Sequence, residues 1–230
     1  MTTRKTCKST IHWLPILPAL ALWCAGCSSV VYEKSDATAR SLQNAAEEVQ
    51  AQSHALETTM TALSDLVNKP ATDLRPQFRW FSSSLDRLVA AADRTARTGK
   101  LMRTKSAAYF EAWGRELVAM NYEYIRKNSE MRKAEVSARF QEINRQYQEA
   151  GDVVRPLIGY LDDVRKALSA DLTMGGLAAV KPIVANAQEN AGKVQTVLAK
   201  LTADLSTSGT QMSSIALQSA PAPMQSTEPK

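Results

Sequence analysis

The sequence predicts an all-α protein, an elongated antiparallel bundle of four long helices with coiled-coil-like seams. From Phe78 to Leu168, apolar residues recur at alternating spacings of three and four, which is the pattern of long helices packed side by side. No segment longer than a few residues alternates with the period of two that a half-buried strand needs. Only 6% of the 230 residues are aromatic, with nine Gly and nine Pro, which suits long helices better than a compact mixed fold. The expected order is a removed signal segment (1–26), a lipidated tether (27–32), one helical domain (33–207) and a disordered tail (208–230).

The first element is the signal. Arg4, Lys5 and Lys8 precede the apolar run Ile11 to Trp23, which is too short to span a bilayer comfortably. Cys24-Ala25-Gly26-Cys27 and Ser28-Ser29 follow, a pattern that resembles the lipobox of bacterial lipoproteins. The resemblance implies cleavage between Gly26 and Cys27, diacylglycerol on the Cys27 sulfur, and acylation of the freed amine. Two or more chains give stable anchoring where one gives only marginal binding. The sequence departs from the pattern at Cys24, where Leu is usual, and at Pro15 and Pro18 inside the apolar run. An ordinary cleaved signal or an uncleaved anchor helix is the plainer alternative. Ser28 in place of Asp after the acceptor points to the outer membrane, facing the periplasm. Cys7 and Cys24 would leave with the signal and Cys27 would become a thioether, so no disulfide is expected. The formal charge of +5 falls to +2 once the three basic residues before the cleavage point are removed, which predicts no strongly charged partner.

The first bundle helix is expected from about Glu33 to Asn68, with the seam Leu42, Val49, Leu56 and Leu63 and with Ala46, Met60 and Val67 beside it. Pro70 ends it by disfavouring helical backbone at the residue before it, and Pro76 suits the first turn of the next helix. That second helix carries Phe78, Leu85, Ala92, Gly99, Ser106, Trp113 and Met120 in one row, and Phe81, Leu88, Thr95, Met102 and Tyr109 in the other. Gly99 and Ser106 would let another helix approach closely. A break falls between Asn121 and Ser129, where the heptad phase is lost and two Asn residues offer caps. The third helix has a cleaner seam, Val136, Ile143, Ala150, Leu157 and Val164 against Phe140, Tyr147, Val154, Leu161 and Leu168, with a kink expected at Pro156. Asp171 to Gly176 forms the last connection, with Gly175-Gly176 expected as a C-cap and turn. The fourth helix reads Leu177, Val180, Val184, Ala187, Ala191, Val194, Leu198, Leu201 and Leu205, beginning properly near Lys181 because of Pro182. From Ser206 the chain turns to Ser, Thr, Pro, Gln and Gly with almost no charge. Short connections make neighbouring helices antiparallel.

Three segments resemble the bacterial lipoproteins grouped as domain of unknown function 2959. They are Tyr109-Phe110-Glu111-Ala112-Trp113-Gly114-Arg115-Glu116-Leu117, then Ile125-Arg126-Lys127-Asn128-Ser129-Glu130, then Arg155-Pro156-Leu157 followed by Asp163. A Lys-His-Asn-Leu-Asn run associated with the family is Ser169-Ala170-Asp171-Leu172-Thr173 here. The resemblance implies a helical lipoprotein and no catalytic activity.

The chemical inventory of the mature chain is small. Its one histidine, His54, falls on a solvent-facing position, and there is no free cysteine, so zinc sites and histidine-based triads have no ligands. Glu47-Glu48 and Asp162-Asp163 diverge by about 100° on a helix and do not share a site. The Glu-x-x-His signature of di-iron bundles is absent. Glu116 occupies a seam position that Leu117 would take by a slip of phase. The glycines at 175 and 176 lack the Lys-Ser/Thr of a phosphate loop. Basic residues from Arg75 to Lys105 and acids in the first helix suggest charge pairing within the bundle, ahead of anionic lipid binding, with nucleic acid excluded by compartment. The sequence therefore predicts no enzyme, no cofactor and no metal. It predicts an envelope lipoprotein that contacts a protein partner or itself, with membrane lipid engaged through the acyl chains on Cys27. The alternative is a carrier or sensor of lipid-like ligands, using a groove left by Ala92, Gly99 and Ser106.

Overall fold

The computed structural model describes residues 30–214. Those residues form four helices and no strand: α1 (Val30–Asn68), α2 (Arg75–Ala119), α3 (Glu123–Ala170) and α4 (Met174–Met212). Each helix packs on its two neighbours around a ring, α1 on α2 and α4, α3 on α2 and α4, while the diagonal pairs stay apart. This is the antiparallel up-down bundle that the seams and short turns predict. At 1.5 Å per residue α2 and α3 each run about 70 Å, so the bundle is long for its width.

The seams are the core. Leu42, Val49, Leu56 and Leu63 of α1, Phe81, Leu85, Leu88 and Met102 of α2, and every residue of the predicted α4 seam are buried. The clean α3 seam is buried from Phe140 to Leu168, with Val136 only partly covered at its start. Where the α2 row weakens, Phe78, Ala92, Trp113 and Met120 are half-buried rather than interior.

Both proline signals at the first turn hold. α1 stops at Asn68, and Pro76 lies in the first turn of α2. Gln77 clips the turn together by donating to the carbonyls of Asp65 and Lys69 while accepting from the amide of Ala71. The other three boundaries differ from expectation. The α2–α3 break is confined to Met120, Asn121 and Tyr122, and Tyr122 rather than an Asn stands at the cap, with no side-chain hydrogen bond. Gly175 and Gly176 lie inside the first turn of α4 rather than closing α3, because Thr173 caps α4 by accepting from the Gly176 amide at 3.2 Å. A Cβ at Gly176 would strike the carbonyl oxygen of Asp171, so close approach, not a left-handed backbone, is what requires glycine there. α4 therefore begins at Met174, carries Pro182 inside it, and continues to Met212 through residues 208–212 that were expected in the tail. Ser208 is buried and Gly209 is buried against α1, which explains why polar composition did not end the helix. Likewise Val30 to Tyr32 are helical rather than tether.

Candidate functional site

Gly26 and Cys27, the predicted cleavage point and acyl acceptor, lie outside the described residues, as do the signal segment 1–26 and the terminal stretch 215–230. No helix among the described residues is long and apolar enough to cross a membrane. No group of three or more His, Cys, Asp or Glu residues among them is placed to hold a metal ion. His54 is exposed and faces Glu57 one turn on, at 3.7 Å. Leu117 is buried while Glu116 is half-buried, so the seam does slip by one residue. Asp162 and Asp163, expected not to share a site, both reach Lys166, at 2.9 and 3.1 Å, because one long side chain spans the angle between them; the other adjacent acids do separate, Glu48 meeting Arg94 of α2 at 3.1 Å while Glu47 faces solvent. That pair is the one α1–α2 ion pair among the described residues. Most of the ion pairs lie within a single helix, so attraction between the two helices is weaker than their opposite charges suggest.

The bundle opens between α2 and α3. A groove of about 360 Å³ has Ala92, Thr95 and Ala96 on one wall and Ala150, Gly151 and Val154 on the other. Small residues face one another there, so two helices held apart by larger neighbours leave space. Arg155 and Asp93 stand at the rim, and Gln52 of α1 forms part of the lining. Gln52 is 3% exposed, and no hydrogen bond to its amide is found among the described residues. Tyr147 lines the same groove, 8% exposed, with a buried hydroxyl that makes no hydrogen bond. Its ring lies over Gly99, where an added Cβ would come within 2.8 Å of Cε1. Gly99 does permit a close approach, and the Tyr147 ring occupies the space. Burial pushes the Tyr147 hydroxyl well above its ordinary pKa, against a smaller downward pull from Arg103.

One face away, α3 is clasped to α4 by Gln146, which donates to Glu142 at 2.9 Å and to Asp204 at 2.7 Å. Hydrogen bonds from Arg145, and then from Gln146, lower the Glu142 carboxyl to about 2. The cluster is a structural tie between α3 and α4.

At the end of the bundle where α1 begins, Tyr109, Phe110, Trp113 and Phe140 stack with ring centroids 5.3 to 5.4 Å apart. Trp113 Nε1 donates to Ser129 Oγ at 2.9 Å across the hairpin. The 109–117 and 125–130 segments of the sequence thus meet at one place, and Arg155 of the third segment reaches the groove rim. A family model for a protein of unknown function (DUF2959) matches residues 25–215. The chain belongs to that family. No curated protein matches it. Family membership fixes the domain but carries no activity with it, so function has to be argued from this chain's own residues.

Two features of the structure lie outside what the heptad rows predict. Gln52 stands three residues after Val49 and four before Leu56, so it sits in the seam register, and a polar residue there is the visible sign of a lined cavity. Val118, Tyr122, Tyr124, Ile125 and Met131 cluster where the heptad phase is lost, and all five are exposed.

Proposed function

We propose that this protein is a non-catalytic lipoprotein of the bacterial envelope, held to the outer membrane by acyl chains on Cys27 and presenting a stiff helical rod to a protein partner or a second copy in the periplasm. The observation that supports it is the position of α1: helix begins at Val30, three residues after Cys27, and runs unbroken for 39 residues. A tether that short makes the whole bundle an extension of the anchor. Cross-linking in intact cells, with the mature protein as bait, tests the reading. Discrete cross-linked species with another envelope protein or with itself are expected, and a strictly monomeric protein with no partner would contradict it.

A second reading, a carrier or sensor of lipid-like ligands, is favoured by the α2–α3 groove. Its volume lies at the small end of the range for ligand sites, and apolar walls around the unpartnered Tyr147 hydroxyl suit a chain with a polar end. Native mass spectrometry after gentle purification would show lipid bound one to one, lost on Ala92→Trp. Protein of bare mass throughout would remove this reading.

A further inference from the structure

We propose that the tip of the α2–α3 hairpin sits in the headgroup layer of the same bilayer that holds Cys27, giving the bundle a second foot on the membrane. The inference rests on the acyl tether proposed above.

Register places the hairpin there. Thr38 of α1 lies level with Lys105 of α2, at 3.5 Å, and Glu48 with Thr95, at 3.2 Å. Extending that antiparallel register to Val30 brings it opposite Trp113. The last six residues of α2 and the turn after them therefore project about 9 Å past the start of α1. Cys27, Ser28 and Ser29 span up to about 10 Å when extended. A tether of that length would let the acyl acceptor reach the level of the hairpin tip.

The tip also has the composition of a membrane interface. Among the described residues eleven large apolar side chains are exposed, and five fall between Val118 and Met131, with Tyr32 of α1 at the same end making six. A bundle exposing such residues at random would scatter them along its length, whereas here Val118 (86%), Tyr124 (79%) and Tyr122 (76%) crowd one end. Tyrosines with an apolar body and a polar tip are favoured at headgroup depth, and Val118 and Ile125 would add buried area below them. The lack of a side-chain cap at Tyr122 fits a turn whose tip is apolar rather than braced for water.

The test uses the full chain matured in bacterial cells and reconstituted into vesicles of phosphatidylethanolamine and phosphatidylglycerol. Tyr124→Cys and, at the far end, Thr72→Cys each supply one thiol for an environment-sensitive fluorophore; both sites are exposed, so the fold is spared. Vesicle flotation, intact mass and quenching by lipids spin-labelled in the acyl chain are read together. The expected result is flotation, with the label at 124 quenched about twofold or more and the label at 72 unchanged. Flotation with both labels equally exposed to water overturns the hairpin foot and leaves the tether standing. Flotation with quenching at 124 but no acyl mass on Cys27 supports the hairpin foot and sinks the tether. Failure to float overturns both.

Discussion

α1 and α3 are built to opposite rules. α1 buries fifteen of its 39 residues and α3 ten of its 48, although α3 has the cleaner heptad seam. The difference lies in side-chain size. α1 meets its neighbours through Thr38, Ala39, Ala45, Ala46, Thr59 and Ala62, all buried, so backbones approach closely there, and the space left against α4 is an open cleft of about 420 Å³ beside Met60 and Ala191. The α4 side returns the fit at Gly209, where a Cβ would lie 3.1 Å from Gln43 Cγ and 3.3 Å from the Ala39 carbonyl oxygen. α3 instead is held off α2 by Phe140, against Phe110, and by Tyr147, over Gly99, and the groove opens where small residues follow these spacers. A regular seam therefore predicts that a helix packs, not how tightly. Tightness follows from the small residues beside the seam.

The largest expected effect tests that contrast directly. Leu42→Ala, fully buried in α1, should cost about 3 to 4 kcal/mol, whereas Val154→Ala, at the groove wall, should cost about 1 to 2. Urea denaturation of both variants measures the difference, and a reversed order would break the comparison. Gly99→Ala sharpens it next, since the new methyl must displace the Tyr147 ring; a loss of about 2 kcal/mol is expected. A neutral result would show that the ring moves freely into the groove.

Tyr147→Phe removes an unpartnered hydroxyl, so at neutral pH stability should change by less than about 1 kcal/mol or rise. Above pH 10 the two proteins diverge. The folded hydroxyl titrates above its unfolded value, so the unfolded chain loses its proton first and stability falls as pH rises through that window. The wild type should lose up to about 1.4 kcal/mol per pH unit more than the variant there, read from melts at stepped alkaline pH. The smallest effect is Gly159→Ala. Nothing lies within 4 Å of the added Cβ on α3, so helix propensity alone should raise stability by about 0.5 to 1 kcal/mol.

Much of the fold is legible in the sequence because heptad rows report burial directly. The α4 seam from Leu177 to Leu205 is buried throughout, and the proline-marked turn at 69–74 falls where Pro70 and Pro76 require. The errors lie where tertiary contact overrides a local signal. Gly175-Gly176 suggests a C-cap, yet the tight contact of Gly176 with Asp171 is invisible along the chain. Pro182 does not delay α4: it lies eight residues after Met174 and forfeits the bond an amide there would make to Ala178, a loss the buried Val180 and Val184 on either side outweigh. Ser208 and Gly209 read as tail but are buried in helix, Gly209 by packing on α1. The groove was foreshadowed by Ala92, one of its wall residues; Gly99 and Ser106 do not line it, because Tyr147 covers the first and the second is buried in the α2 seam. Gln52 gives no separate signal in the sequence because its neighbours Val49 and Leu56 already complete the seam.

The account stands on the acyl tether, and intact mass spectrometry of the protein extracted from bacterial membranes tests it most directly. A chain beginning at Cys27 and heavier than its residues by a diacylglyceryl group and one amide-linked acyl chain is the predicted result. A chain that begins elsewhere, or an unmodified Cys27, would contradict it.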